Sequence, residues 1–166
     1  MTTFSKLGIS QPYIKALKEL NIVNPTEIQE VVLPILLESK TDLIGLAQTG
    51  TGKTAAFGLP ILHSIDANKS EVQGLIIAPT RELVLQIADD ARNLTKYTDI
   101  TVHTLVGGMD YDKQKRKIDN QLIDILVATP GRLLDFSSRK HIYLDQVEVM
   151  VLDEADRMLD MGFIPQ

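Results

Sequence analysis

Two short stretches of the chain carry residue types that can act on phosphate groups. The first is AQTGTGKT at residues 47–54, a glycine-rich run that follows an apolar segment. Gly50 and Gly52 allow backbone angles that side chains forbid, so successive N–H groups can point inward and bind an anion. Lys53 would then reach the outer phosphates of a nucleotide, and the Thr54 hydroxyl would bind Mg²⁺. The general pattern begins with Gly where this chain has Ala47, so a turn without a ligand is the alternative.

The second stretch is DEAD at residues 153–156, which follows the apolar run Val149–Leu152. Carboxylates at the carboxyl end of a buried strand lie where α/β folds bind their ligands. Asp153 would hold Mg²⁺ through water, and Glu154 would orient or deprotonate the water that attacks a γ-phosphate. The alternative is an acidic helix N-terminus that only complements the helix dipole. The two stretches together favour hydrolysis of a nucleoside triphosphate.

The elements that must position these residues alternate between strands and helices. Such alternation predicts an α/β domain with a parallel sheet and right-handed crossovers. Short runs rich in Ile, Val and Leu predict buried strands: Asp42–Ala47, Gly74–Ala78, Thr101–Val106, Ile123–Ala128 and Val147–Leu152. The periodicity and the position of proline predict helices at Gln11–Leu20, Pro25–Leu36, Lys53–His63 and Arg81–Tyr97, and another from Pro130.

Composition limits the class of protein. The 166 residues fit about one domain, and 44% hydrophobic with 23% charged residues is typical of a globular chain. There is no cysteine, which excludes disulfides and thiolate metal sites. A net charge of −5 means that nucleic acid would be bound by local groups rather than by bulk charge. No apolar run reaches membrane-span length and MTTFSKLGIS lacks a signal core, so a cytoplasmic protein is expected.

From Phe4 to about Pro165, the chain resembles the first RecA-like domain of DEAD-box ATP-dependent RNA helicases. AQTGTGKT is similar to motif I, which tolerates the initial Ala, and DEAD is similar to motif II. Four more stretches match in order: the Q motif NPTEIQ at 24–29, motif Ia PTREL at 79–83, GG at 107–108 and motif Ib TPGR at 129–132. The resemblance implies a RecA-like P-loop fold, with a mostly parallel sheet and helices on both faces.

The resemblance also implies ATP and Mg²⁺ as cofactors. Gln29 would read the adenine edge, because an amide both donates and accepts. Phe4 would be the upstream aromatic residue, and Ile22 stands where the family often has Phe to cover the base. The cofactor-binding set is then Phe4, Ile22, Thr26, Gln29, Gln48, Thr49, Gly50, Thr51, Gly52, Lys53 and Thr54. Lys53, Asp153 and Glu154 would be catalytic, with Thr54 and Asp153 at the metal.

The same resemblance assigns the remaining motifs to the RNA sugar-phosphate backbone, where contacts position a strand without reading its sequence. The implied RNA-binding residues are Pro79, Thr80, Arg81, Gly107, Gly108, Thr129 and Arg132. Asp156 would link motif II to a second RecA-like domain. The basic run at residues 112–117 is interpreted as a solvated helix face. The histidines show no metal spacing, and no role is assigned to them.

The family's first domain continues with a strand bearing a Ser-Ala-Thr motif, which the 166 residues do not contain. The chain is therefore expected to be a partial ATP-binding domain, with residues 1–40 carrying the Q-motif helices and with exposed sheet edges. Without a second domain and its arginine finger, slow hydrolysis and no unwinding are expected. Two other functions stay open: an RNA clamp or scaffold with little turnover, and a DNA translocase of the same superfamily.

Overall fold

A computed structural model of the chain describes residues 2–39, 41–48 and 50–162. The chain divides into two compact units, the first formed by residues 1–64 and 90–99 and the second by residues 65–89 and 100–166. The described elements, in chain order, are α1 Gln11–Glu19, α2 Glu27–Glu38, α3 Lys53–Ser64, β1 Gly74–Ile77, α4 Arg81–Leu94, β2 Val102–Leu105, α5 Tyr111–Asn120, β3 Ile125–Ala128, α6 Pro130–Ser138, β4 Val149–Leu152 and α7 Ala155–Asp160.

The second unit is built on a four-stranded sheet in the order β2-β3-β1-β4. Every pairing is parallel, with Leu75 opposite both Leu126 and Met150. All four residues of β3 are buried, as expected for an interior strand. Leu105, Leu126 and Phe136 lie in the core beside the sheet and are fully buried. The α/β class and the parallel sheet predicted from the sequence are therefore confirmed.

The first unit contains α1, α2 and α3, of which α2 and α3 pack against each other. Two residues after α1 ends at Glu19, Asn21 has a φ of 59°, the left-handed conformation that often follows a helix. Two hydrogen bonds join the region of α1 to the end of α3. The Tyr13 hydroxyl donates to the Leu62 carbonyl at 2.9 Å, and the Ser10 N–H donates to His63 Nε2 at 3.1 Å.

The strand predicted at Asp42–Ala47 is wrong, because residues 41–48 form neither a helix nor a strand. Ile44 and Leu46 are each 93% exposed. An apolar run becomes a strand only when neighbouring strands satisfy its backbone N–H and C=O groups. The resemblance places the Ser-Ala-Thr strand beside this segment, and that strand is not in the sequence. The apolar composition of residues 42–47 was therefore not sufficient to predict a strand there.

The remaining strands and helices form where they were predicted, with shifted ends. The largest shift is in α4, which ends at Leu94 rather than at Tyr97. Thr98 N donates to the Thr95 carbonyl at 2.8 Å, so the chain turns directly after this helix. The basic run at residues 112–117 lies on α5, as predicted.

The β4 strand is an edge of the described sheet, and the sequence predicts exposed sheet edges. Among the described strands, β4 pairs with β1 alone. Its burial alternates, and Met150 and Leu152 are 57% and 50% exposed. No helix within the described residues has the length and apolar character needed to cross a membrane.

Candidate nucleotide and nucleic-acid sites

The phosphate loop leads directly into α3, whose first residue is Lys53. Gly50 and Gly52 have φ values of 80° and 86°, the left-handed region that the sequence reasoning required of them. The Thr51 hydroxyl closes the loop by donating to the Gln48 carbonyl at 2.8 Å. Lys53 and Thr54 are half-buried at the helix N-terminus, where N–H groups and the helix dipole favour an anion. Thr49, also predicted to bind the nucleotide, lies outside the described residues.

Two side chains of the Q motif hold this loop by its backbone. Gln29 is buried, and its Nε2 donates to the Gly52 carbonyl at 2.9 Å. Its Oε1 accepts from the Thr26 N–H at 3.0 Å. The Thr26 hydroxyl donates to the Thr51 carbonyl at 2.9 Å. The conformation of the loop is therefore tied to the start of α2, 23 residues or more away in the chain.

The environment of Gly52 shows how closely the loop and the Q motif fit. A Cβ atom at this position would lie 2.5 Å from Gln29 Nε2 and 3.0 Å from Thr26 Oγ1. Real Cβ contacts of 2.5 Å do not occur, so any side chain here would push the amide away. Position 52 thus requires glycine for both its φ angle and its space.

This holding role of Gln29 is one that the sequence reasoning missed. Spacing signals only its local half, since Thr-x-x-Gln at a helix start is a capping-box pattern that accounts for the bond from the Thr26 N–H to Gln29 Oε1. Gln29 was predicted to read adenine, and in this structure both ends of its amide already bind protein atoms. Each end keeps one further hydrogen-bonding position, because the amide nitrogen has two N–H donors and the oxygen has two lone pairs.

The two apolar residues of the predicted nucleotide-binding set, Phe4 and Ile22, differ in exposure. Phe4 is 3% exposed and belongs to the apolar core. Ile22 is half-buried, and its N–H donates to the Leu17 carbonyl at 2.9 Å, which closes the end of α1. Ile22 presents part of its side chain to solvent, whereas the ring of Phe4 is occupied in packing.

In the second unit, the four remaining motifs follow the four strands. Motif Ia comes after β1, GG after β2, TPGR after β3 and DEAD after β4. Because the strands are parallel, their carboxyl ends share one edge of the sheet, which is where open α/β sheets bind ligands. The sheet therefore brings together residues that lie as much as 77 positions apart, from Pro79 to Asp156.

Contacts around the glycine pair show how closely these motifs approach. Gly107 and Gly108 are exposed, and a Cβ on Gly108 would lie 3.5 Å from Arg81 Nη1. On the other side, Arg132 Nη2 donates to the Met109 carbonyl at 3.3 Å. Two guanidinium groups thus lie beside one exposed loop, where backbone N–H groups and cations can contact phosphate oxygens.

The other predicted RNA-binding residues have mixed environments. Thr80 accepts from the Leu83 N–H at 3.3 Å and so helps start α4, while Pro79 is buried. Thr129 precedes α6 and its side chain makes no capping hydrogen bond. The burial of Pro79 assigns it to packing, which leaves Thr80 and Thr129 as the hydroxyl groups at this edge.

Arg132 has neighbours that the sequence reasoning did not identify. Its guanidinium carbon lies 5.5 Å from the Tyr111 ring centroid and 6.0 Å from that of Phe136. Those two rings are 4.6 Å apart. Arg132 Nη1 is buried and has no hydrogen-bond partner within the described part of the chain. The aromatic pair therefore holds the guanidinium in place.

The DEAD residues form a tight turn between β4 and α7. Asp153 Oδ1 accepts from the Glu154 N–H at 3.0 Å, and the Asp153 N–H continues the sheet by donating to Ile77. Glu154 has φ 51° and ψ 47°, a left-handed conformation that is costly for a residue with a side chain. Such strain is concentrated at functional turns, which supports the predicted roles of both carboxylates.

Two charged neighbours complete this turn. Arg157 Nη1 lies 3.3 Å from Glu154 Oε2, an ion pair that was not predicted from the sequence. Asp156 is exposed in the first turn of α7 and is available for contacts outside the turn. Of the two predicted metal ligands, Thr54 belongs to the first unit and Asp153 to the second. The described residues contain no cluster of three or more His, Asp or Glu able to hold a metal ion.

Comparison with known proteins agrees with this set of motifs. The chain is 54% identical to the ATP-dependent RNA helicase RhlB of Pseudomonas syringae pv. tomato, over 99% of this chain and 43% of that protein. It is 48% identical to the ATP-dependent RNA helicase CshA of Listeria monocytogenes, over 99% of this chain and 31% of that protein. The chain thus spans less than half the length of these curated relatives.

Solved structures show the same fold. A DEAD box protein from Methanococcus jannaschii matches with a TM-score of 0.92 and 34% identity, over 99% of this chain and 45% of that one. S. cerevisiae Dbp5 bound to RNA and ADP BeF3 matches with a TM-score of 0.88 and 34% identity, over 98% of this chain and 41% of that one. The family model for DEAD/DEAH box helicases matches residues 26–166. The chain therefore belongs to the DEAD/DEAH box helicase family.

Proposed function

We propose that this chain is the first RecA-like domain of an ATP-dependent RNA helicase. Hydrolysis of ATP in the whole protein would drive local RNA unwinding or remodelling of ribonucleoproteins. The observation that carries the nucleotide part is the hydrogen bond from Gln29 Nε2 to the Gly52 carbonyl. This bond joins the Gln29 amide, which can recognise adenine, to the phosphate loop, and both lie in the first unit.

The residues predicted to bind nucleotide and those of the DEAD turn have the following roles in the proposed reaction. Lys53 and the N–H groups of the loop bind the outer phosphates, and Gln29 and Ile22 contact the base. Thr54 and Asp153 are the residues that would hold Mg²⁺, and the ion would neutralise charge on the phosphates. Glu154 orients the attacking water and accepts its proton. The left-handed turn at Glu154 supports this role, because it fixes the direction of the carboxylate.

RNA is bound at the carboxyl edge of the sheet through its backbone. Arg81, Arg132, Thr80, Thr129 and the N–H groups of Gly107 and Gly108 contribute donors to phosphate oxygens. Such contacts allow a chain of net charge −5 to bind RNA without reading its sequence. The similar protein Dbp5 of S. cerevisiae was solved bound to RNA and ADP BeF3, which supports this pairing of ligands by analogy.

The other parts of the proposed helicase correspond to regions of the relatives that this chain does not span. A second RecA-like domain would supply an arginine finger, whose absence costs about 10³–10⁵ in rate. Asp156, exposed beside the DEAD turn, would contact that domain. The chain on its own therefore binds nucleotide weakly and does not unwind RNA. The cytoplasmic location expected from the sequence stays a prediction.

Thermal unfolding of the 166-residue chain with Mg²⁺ tests the nucleotide part. At about 100 times its Kd, ADP should stabilise the chain by roughly 2.7 kcal/mol, and GDP should not. The variant Lys53→Met should lose this shift, whereas Lys117→Met on the solvated α5 face should keep it. An equal shift with GDP would reject the adenine assignment, and no shift with either nucleotide would reject nucleotide binding by this chain.

Competition between RNA and DNA strands of one sequence tests the nucleic-acid part. A preference for RNA would come from contacts with the 2′-hydroxyl groups or with backbone shape. Affinity measured over a range of salt concentrations should fall as salt rises, and Arg81→Gln should reduce the slope. Equal affinity for DNA would favour a translocase over an RNA helicase. ATP turnover by a chain of the relatives' full length separates a helicase from a clamp that holds RNA without turnover.

A further inference from the structure

A groove runs along the solvent side of α1, and its lining includes none of the residues assigned to nucleotide or RNA. It has a volume of about 460 Å³ and is lined by Gln11, Pro12, Ile14, Lys15, Lys18 and Tyr97. Positions 11, 14, 15 and 18 recur at the spacing that places residues on one helical face. The opposite face of α1 buries Tyr13, Ala16 and Leu17. The groove therefore lies on a face of the helix that the core does not use.

The two groove lysines make no direct ion pair within the described residues, although Lys15 is near enough to Glu19 to help lower the pKa of that carboxyl. Neither Lys15 nor Lys18 forms an ion pair with a carboxylate among the residues that the structure describes. The nearby Glu19 is already engaged, because it accepts from Lys96 Nζ at 2.6 Å and from the Tyr97 hydroxyl. The hydrogen bond from Lys96 is the main cause that lowers the pKa of Glu19. In a chain of net charge −5, this groove is thus locally positive.

The floor of the groove is suited to an aliphatic group rather than to a nucleic-acid base. Pro12 and Ile14 offer apolar surface and no side-chain hydrogen-bond donors. Single-stranded nucleic acid is usually held by bases stacked on aromatic rings. Here Lys15 Nζ already lies 3.7 Å from the centroid of the Tyr97 ring and covers one of its faces. Positive charge next to an aliphatic floor therefore fits a peptide better than RNA.

We infer that the α1 groove is a docking site for a short acidic peptide segment of a partner protein. Carboxylates of the peptide pair with Lys15 and Lys18, which lie one helical turn apart. An aliphatic side chain between those carboxylates packs on Pro12 and Ile14. The volume lies within the 300–1,000 Å³ range of ordinary ligand sites, which is enough for a few side chains. This site is separate in sequence from every motif of the proposed helicase function.

The experiment measures fluorescence anisotropy of a labelled octapeptide, in which glutamates flank two leucines, with the 166-residue chain. A peptide with glutamine in place of glutamate is the neutral control. We expect binding of the acidic peptide only, weakening as salt rises. No binding of the acidic peptide, or equal binding of the neutral one, overturns the inference.

Paired variants test whether the peptide binds in the α1 groove. The change Lys15→Glu with Lys18→Glu should weaken the complex about fivefold or more, because two exposed attractions become repulsions. The matched control Lys113→Glu with Lys117→Glu makes the same charge change on exposed residues of α5 and should alter the affinity less than twofold. Ile14→Ser should weaken binding about threefold through lost apolar contact. Circular dichroism checks that each variant keeps its helices.

Two outcomes of this series contradict the inference. If the α5 control weakens binding as much as the α1 pair, the peptide responds to overall charge and no groove is involved. If a single-stranded RNA oligonucleotide displaces the peptide and loses affinity in the α1 pair alone, the groove belongs to RNA. The peptide assay does not depend on nucleotide or helicase activity, so the proposed function stands or fails separately.

Discussion

Residues 42–47 and the strand Ile125–Ala128 are both short and rich in Ile and Leu, yet their environments are opposite. In β3 all four residues are buried between β1 and β2. In the first segment, Ile44 and Leu46 are each 93% exposed, and no strand forms. An apolar run is therefore able to form a strand, but whether the strand forms and is buried depends on the strands that pair with it.

The described residues of the phosphate loop, which follows residues 42–47, are held in a different way. Thr26 and Gln29 donate to the carbonyls of Thr51 and Gly52. After β1 and β3 the chain continues the sheet ladder, since Ala78 N donates to the Ala128 carbonyl and Thr129 N donates to the Leu105 carbonyl. After β2 the Gln114 side chain binds both the N–H and the carbonyl of Val106. The phosphate loop therefore relies on side chains that bind backbone atoms, whereas two of the three sheet loops begin with strand pairing.

The largest expected effect comes from the buried strand. Ile125→Ala should lower the free energy of unfolding by about 2–5 kcal/mol, since Ile125 is 1% exposed and its removal leaves a cavity. Urea denaturation followed by circular dichroism measures this change. A loss below 1 kcal/mol would mean that β3 is not the interior strand described here.

An intermediate effect is expected at the phosphate loop. Gly52→Ala should lower the free energy of unfolding by roughly 1.5–3 kcal/mol, through left-handed strain and a displaced Gln29 amide. The nucleotide-dependent thermal shift should also be lost. The matched control is Gly58→Ala in α3, where an added Cβ meets nothing within 4 Å. That control should be neutral or stabilising, because alanine favours a helix interior.

A smaller effect on stability is expected when the pH is changed, because a polar contact of the first unit involves His63. Burial lowers the pKa of His63 from its ordinary 6.5, and neutral Nε2 accepts from the Ser10 N–H. The unfolded chain then binds more protons below pH 6.5, so stability should fall as pH drops from 7.5 toward 5. Thermal unfolding of His63→Gln should show a shallower fall than the unchanged chain. Identical pH profiles would contradict this.

The smallest effect is expected in the exposed segment. Ile44→Ala should change the free energy of unfolding by no more than about 0.5 kcal/mol, because its side chain is already in water. The same substitution at Ile125 is its direct counterpart, measured in the same denaturant series. A loss of 2 kcal/mol or more at Ile44 would show that residues 42–47 are buried in the chain, as the sequence first predicted.

The sequence by itself determined the chemistry. Glycines at 50 and 52 predict a loop with left-handed backbone angles, which the structure shows, and Lys53 beside them supplies the positive charge on which the proposed phosphate binding rests. It also determined the α/β class and the four strands of the sheet, because hydrophobic periodicity and turn residues are local signals. Residues 153–156 follow a strand for the same reason.

Only the tertiary structure decided which groups meet. Sequence spacing does not show that Gln29 is buried against Gly52, that Arg132 packs on Tyr111, or that Arg157 pairs with Glu154. It also did not reveal that residues 42–47 pair with no strand among the described residues. The physical reason is that burial, ion pairing and strand pairing depend on atoms distant in the chain, whereas backbone angles and side-chain chemistry are properties of the residues themselves.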